Sequence, residues 1–217
     1  MKLFLSRDEA SEALSTFAHE SGHELIKFSC IQKEVTTDNP PPQADWIFFY
    51  SPSAVSMFLQ SFGDYRAKRA ALGEGTARIF REDGIEPDFV GESPNTSEVL
   101  KEFKSVIADG EKVVQARGEK SFERLREVLP AERILDWPFY RTEGKMNISK
   151  VEADVYIFTS PSNAEAYLNE HDIDSKAKVI VFGESTKRAV EALTTAEVLV
   201  TAEPGEDSVE KILMNFT

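Results

Sequence analysis

The feature that most constrains this chain is an internal repeat that starts partway along it and finishes at its beginning. FFYSPSAVSMFL, with Ser51-Pro52-Ser53, returns as YIFTSPSNAEAYL, with Ser160-Pro161-Ser162, 109 positions on. AALGEGTARIF, with Gly73 and Thr76, returns as VIVFGESTKRAV, with Gly183 and Thr186, at 110. DFVGE, ending in Glu92, returns as VLVTAE, ending in Glu203, at 111. The series then continues at the other end of the sequence. VVQARGEKSFERL around Arg117 resembles LFLSRDEASEAL around Arg7, and ILDWPFYRTE with Trp137 and Glu143 pairs with IKFSCIQKE, with Phe28 and Glu34. Each copy holds five units, but one copy is split, its last two units coming first in the chain.

Each unit reads as a short apolar run followed by an amphipathic stretch. The runs LFLS, ELIKF, WIFFY, RAAL, DFV, KVVQA, RILDW, VYIFT, KVIVF and VLVT are apolar on both faces, as buried parallel strands must be. A helix is expected from about Asp8, and Ser51 and Ser160 each precede a proline whose fixed φ suits a first helical turn. Gly22, Gly63 and Gly84 stand where helices should stop. The expected fold class is α/β, with two parallel-sheet domains produced by duplication. One domain is continuous over residues 45–138, and the other is discontinuous, over 1–30 plus 152–217. Residues 31–44 and 139–151 are then the two interdomain linkers, β-prone enough to form a two-stranded ladder that acts as a hinge. The triple proline in TTDNPPPQAD stiffens the first of them.

Composition narrows the partners. With 38 acidic and 25 basic residues the net charge is −13, which opposes broad attraction to nucleic acid or to anionic membranes. The single cysteine, Cys30, makes no internal disulfide or thiolate metal cluster, and the opening MKLFLSRDEA is too short an apolar run for a signal-peptide core. A cytoplasmic, monomeric protein is expected, with no membrane and no nucleic-acid partner.

The opening strand ending in Arg7, the paired Ser-Pro-Ser turns, the two Gly-Glu-x-Thr turns, Ala-Arg-Gly at 116–118 and Tyr-Arg-Thr at 140–142 together resemble the uroporphyrinogen-III synthases, over nearly the whole chain. The resemblance implies two flavodoxin-like domains joined by a two-stranded ladder, with a cleft between them. Two departures stand out. Tyr50 occupies a position that is often threonine in the family, and Glu74 and Glu184 occupy positions that are often proline.

The resemblance further implies hydroxymethylbilane, a linear tetrapyrrole bearing carboxylates, as substrate. It would be dehydrated and cyclised with inversion of ring D, a hydro-lyase reaction without metal or organic cofactor. Substrate contacts are expected from the turns at the strand ends, where helix amino termini accept anions. Those contacts are Ser51, Ser53, Thr76, Ser160, Ser162, Asn163, Ser185 and Thr186, with charge from Lys187, Arg7 and Arg117. The same hydroxyls serve equally as helix caps, and the two arginines equally as braces for turns. Tyr140 is the candidate acid, because a phenol, with an ordinary pKa near 10, holds its proton at neutral pH; a packed hinge aromatic is the other reading.

Three patterns point elsewhere. His19-Glu20-Ser21-Gly22-His23 matches the zinc-protease spacing, but Gly22 should stop the helix before His23. Gly73-Glu74-Gly75 lacks the third glycine of a dinucleotide loop, since position 78 is Arg. Ser51 and Ser160 lack the flanking glycines of a hydrolase elbow. The competing function is a non-catalytic two-domain module that grips a tetrapyrrole or another small anion. A pair of phosphoryl receivers would need aspartates at strand ends, where this chain has Ser, Gly or Arg.

Overall fold

The computed structural model describes residues 1–63, 65–121, 123–203 and 205–216. In chain order the elements begin with β1 (Lys2–Leu5), α1 (Glu12–Glu20), β2 (Glu24–Lys27), β3 (Ile31–Val35), β4 (Trp46–Phe49) and α2 (Pro52–Phe62). They continue with β5 (Lys68–Ala71), α3 (Glu74–Glu82), β6 (Phe89–Val90), α4 (Thr96–Val106), β7 (Val113–Gly118) and β8 (Ile134–Gly144). The last are β9 (Val155–Phe158), α5 (Pro161–Glu170), β10 (Lys178–Val181), α6 (Glu184–Glu191), β11 (Glu197–Val200) and α7 (Asp207–Leu213). The chain divides into two compact units, one of Met1–Gln32 with Glu143–Thr217, the other of Lys33–Thr142.

The sheet of the split unit runs β11-β10-β9-β1-β2, and that of the continuous unit runs β3-β8-β7-β4-β5-β6. β1, β2, β9, β10 and β11 pair in parallel, as do β4, β5, β6, β7 and β8. Strands related by the repeat hold the same places: β4 with β9, β5 with β10, β6 with β11, β7 with β1, β8 with β2. Numbered along the chain, the split unit has the flavodoxin-like order 2-1-3-4-5, while the continuous unit, with its edge strand β3 set aside, reads 3-2-1-4-5. The spatial arrangement is the same, and the permutation of the chain alone changes the numbering.

Alternating side chains send each strand's apolar residues to both faces, so each unit has a core on either side of its sheet. In the split unit Leu3, Leu5, Ile157 and Ile180 pack with Leu14 of α1 and Val209 and Leu213 of α7. Phe4, Tyr156, Phe158 and Val179 pack on the other face with Tyr167 of α5 and Val190 of α6. In the continuous unit Ile47, Phe49 and Val114 meet Val55 and Phe58 of α2 and Phe80 of α3, while Trp46, Phe48 and Val113 meet Val99, Leu100 and Phe103 of α4. Each of those fully buried phenylalanines contributes roughly 1.5–3 kcal/mol of apolar burial.

The first helix begins later than the sequence reading places it. Ser11, not Asp8, is the N-cap, its Oγ accepting from Leu14 N. Asp8 is drawn away instead, its carboxylate accepting from Ser29 N at 2.9 Å. Ser51 and Ser160 cap α2 and α5, each with proline at the first helical position. Gly22 and Gly84, which follow α1 and α3, have φ of +67° and +76°, a region that disfavours other residues.

β3 lies beside β8 at the edge of the second sheet. Thr36 N donates to Phe139 O and Lys145 N to Cys30 O, each at 2.8 Å, so one residue number falls as its partner's rises and the two run antiparallel. β8 passes without a break from the parallel sheet into this ladder, so residues 139–144 belong to a strand rather than to a loop. Among the described residues no helix is long and apolar enough to cross a membrane.

Candidate functional site

In a parallel sheet the strand carboxyl ends and the helix amino ends meet on one edge, and the expected contact residues of each unit stand there. At the end of β4, Ser51 Oγ accepts from Ala54 N at 3.3 Å and lies 3.3 Å from Ser53 Oγ. Ser53 Oγ in turn accepts from Lys33 Nζ. At the end of β9, Ser160 Oγ accepts from Asn163 N at 3.3 Å and from Asn163 Nδ2 at 3.2 Å. Asn163 itself is buried, and its Oδ1 accepts from Cys30 N at 2.8 Å, pinning the segment that leads into β3. Ser162 is half-buried.

The Gly-Glu-x-Thr turns repeat their exposure as faithfully as their sequence. Thr76 and Thr186 are buried, only 4% and 3% exposed, whereas Ser185 is exposed. Burial to that degree suits bracing of the turn. Lys187 is half-buried, with Glu191 one helical turn along at 3.9 Å.

The strand-end arginines differ sharply. Arg117, at the end of β7, is buried. It makes a two-pronged contact with Asp136, Nε and Nη2 each 2.6 Å from a carboxylate oxygen. Its Nη1 donates to the carbonyls of Gly118, Glu119 and Ser121, and Glu123 lies 3.5 Å from Nη2. Arg7, at the end of β1, has a half-exposed side chain that donates to the buried Glu206 at 2.7 Å; the other oxygen of Glu206 accepts from Ser11 N. The Arg117 guanidinium is thus committed to holding the chain between Gly118 and Ser121, while Arg7 keeps half its surface in water.

Tyr140 is buried on β8, at an irregularity in the register between β7 and β8, and Glu119 N donates to its carbonyl at 2.9 Å. Its ring lies against the backbone of Gly118: a Cβ there would come within 2.9 Å of Tyr140 Cε2 and 3.1 Å of Ser121 Oγ. Lys33 Nζ stands 5.9 Å from the ring centre. Tyr140 also lines a cavity of about 300 Å³ with Tyr50, Arg117, Lys120, Ser121 and Arg124. Tyr50 OH donates to Gln115 Oε1 at 3.0 Å, the same oxygen that accepts from Leu125 N at 3.2 Å. Burial pushes the Tyr50 phenol well above its ordinary pKa, against smaller opposing pulls from the Leu125 N–H and then from nearby Arg124 and Arg117.

The continuous unit therefore brings Ser51, Ser53, Tyr140 and Arg117 to one end of its sheet, together with Lys33, Tyr50, Lys120 and Arg124, which sequence reading missed. One signal was available. Gln115 interrupts the apolar run VVQA, and a polar residue inside a buried parallel strand needs partners. The residues 19–23 do not form a metal-binding helix: α1 ends at Glu20, Ser21 caps it, and His23 lies beyond, its Nδ1 3.3 Å from the Met1 amino group. Burial pushes the Cys30 thiol up to about 12, so it stands as a buried thiol rather than a nucleophile.

Two parallel α/β units with polar turns at their strand ends define a protein of the flavodoxin-like α/β class. The family described as "Uroporphyrinogen-III synthase HemD" matches residues 12–210, and the chain belongs to that family. Its fold is similar to that of the uroporphyrinogen-III synthetase of Helicobacter pylori 26695, at 14% identity and a TM-score of 0.71, covering 100% of this chain and 99% of that one. It is also similar to a mutant uroporphyrinogen III synthase from the extremely thermophilic bacterium Thermus thermophilus, at 16% identity and a TM-score of 0.55, covering 100% and 97%. No curated protein matches the sequence.

Proposed function

We propose that this chain acts as a hydro-lyase on hydroxymethylbilane, closing it to uroporphyrinogen III with inversion of ring D, as a monomeric cytoplasmic enzyme. The observation that carries this reading is the family match over residues 12–210. It is supported by a buried tyrosine beside a cation-lined cavity in one unit.

The chemistry asks little of the protein beyond orientation. The lone pair of the ring A nitrogen expels the hydroxymethyl oxygen, which leaves as water once it receives a proton. The azafulvene so formed is attacked by the substituted carbon of ring D; the spiro intermediate fragments, recloses and loses a proton. Tyr140 OH is the proton donor in this scheme, and folding the chain of four rings so that its ends meet supplies several kcal/mol. The strand-end turns hold the substrate's carboxylates. Ser51, Ser53, Ser160, Ser162 and Ser185 offer hydroxyls or helix-terminal N–H groups, and Lys187 and Arg7 offer charge. Thr76, Thr186, Asn163 and Arg117 act beneath them, keeping the turns in shape.

The test is product analysis. Incubation with freshly generated hydroxymethylbilane, followed by oxidation and separation of the porphyrin isomers, should yield the type III isomer. Type I alone, the product of unassisted closure, would reduce the protein to a binding module. Tyr140→Phe should lower kcat at least tenfold with KM little changed, and full turnover by that variant would remove the proton-donor role.

A further inference from the structure

Most of this chain repels a polyanion, which makes the cavity at the end of β7 unusual. Among the described residues its lining is Tyr50, Arg117, Lys120, Ser121, Arg124 and Tyr140, three cations and no carboxylate, in a chain with a net charge of −13. The three cations are not equivalent. Arg117 is spent on Asp136, Glu123 and three carbonyls, so it serves as wall rather than as free charge. Lys120 is exposed, and among the described residues no carboxylate lies within ion-pair distance of it. Arg124 stands at the start of a short 3-10 turn that is tied to β7 through Leu125 N and Gln115.

Two aromatic side chains complete the lining, and both are fixed. Tyr140 is held by close approach to Gly118, and Tyr50 by its hydrogen bond to Gln115. Fixed rings beside cations match a flat, electron-rich ring that carries an acid group: the ring lies against the tyrosines while the acid meets the lysine and arginine. A cavity of about 300 Å³ has room for one substituted five-membered ring and not for four in a row. In the split unit the position matching Tyr50 is Thr159 and that matching Gln115 is Leu5, so the tyrosine wall and its glutamine anchor have no counterpart at those positions.

We infer that this cavity is a subsite for a single pyrrole ring of the substrate, with Tyr50 as a wall and Lys120 and Arg124 binding one of that ring's carboxylates. The inference rests on the proposed function and names the residues that fix one ring of the four. It assigns Lys120 and Arg124 to substrate binding and leaves the proton transfer to Tyr140.

Steady-state kinetics with hydroxymethylbilane would decide it. Lys120→Ala and Arg124→Ala should each raise KM about fivefold to tenfold, and the double variant more, with kcat within twofold and type III product retained. Lys120→Arg and Arg124→Lys should restore most of the loss, which a purely structural role would not predict. Tyr50→Phe should change little, because the ring remains, whereas Tyr50→Ala should raise KM. Unchanged KM in a double alanine variant of wild-type melting temperature would overturn the subsite while leaving the enzyme assignment intact. Type I isomer alone from the wild-type protein would instead overturn the function on which the subsite rests.

Discussion

The two units share sheet order, turns and cores, yet they use their strand-end polar groups in opposite ways. In the continuous unit the end of β7 is tightly braced: Arg117 is buried and donates to an exposed aspartate and to three carbonyls, and two tyrosines stand beside it. In the split unit the end of β1 is open and small. Arg7 is half in water, and Thr159 donates from its N–H and its hydroxyl to Ser6 Oγ and Ser6 O where the other copy has Tyr50 and Ala116. Duplication preserved what the fold needs, and the polar residues at the ends were free to diverge. One copy carries aromatic walls and a buried guanidinium where the other carries small hydroxyls.

The largest contrast should appear on removing the arginines. Arg117→Ala removes a buried guanidinium that donates to the carboxylate of exposed Asp136 at two points and to three carbonyls, a loss of about 2–3 kcal/mol. Arg7→Ala leaves the buried Glu206 with the Ser11 N–H still donating and uncovers its carboxylate to water, a loss of about 1–2 kcal/mol. Urea unfolding of both variants measures the difference. Equal losses would mean that the two ends are not built differently.

A smaller effect separates Gly118 from its counterpart in the repeat, Asp8. Gly118→Ala puts a methyl group 2.9 Å from the Tyr140 ring and 3.1 Å from Ser121 Oγ, so the ring must move. Overpacking of this kind costs roughly 1–3 kcal/mol. Because the displaced ring belongs to the proposed proton donor, kcat should fall by more than the loss of stability alone explains. Asp8→Ala removes one exposed hydrogen bond to Ser29 N, about 0.5–1 kcal/mol, and should leave kcat within twofold. An unaltered kcat in Gly118→Ala would detach Tyr140 from the chemistry.

These contrasts explain what the sequence disclosed and what it withheld. Parallel strands that are apolar throughout, proline after a capping serine, and glycine after a helix all leave local marks, so the α/β class, the duplication and the two caps could be read directly. Alternation within a strand tells which residues are buried, but not which partner meets a buried polar atom. Arg117 finds Asp136 across 19 positions, Tyr50 finds Gln115 across 65, and Asn163 reaches Cys30 across 133. Gly118 is harder still, because its φ is not positive and what demands a glycine is the distant ring that lies against it. Arg7 and Arg117 look alike in sequence because the repeat aligns them. Their surroundings come from loops that the repeat does not preserve, and those surroundings set their roles.

The finest contrast lies at the opposite edge of the sheets, where β5 and β10 begin with the matching residues Lys68 and Lys178. Lys68 meets Glu111 at 2.8 Å, and the same carboxylate accepts from Trp46 Nε1 at 2.8 Å and Ala108 N at 2.9 Å. The hydrogen bond from Lys68, with those from Trp46 and Ala108 after it, lowers the Glu111 carboxyl from 4.5 to about 2. A carboxyl whose pKa is lower folded than unfolded adds stability that is complete above the unfolded value and is lost as pH falls toward the folded one. The melting temperature of the wild-type protein should therefore drop between about pH 4.5 and 2 partly through this group, and Glu111→Gln should flatten that part of the curve. Lys178 pairs instead with Glu197, and both side chains are more than a third exposed. Glu197→Gln should cost ~0–1 kcal/mol and leave the acid limb of the curve in place. If the two variants shift the acid limb equally, the three-donor clasp on Glu111 holds its unit no better than a pair in open water.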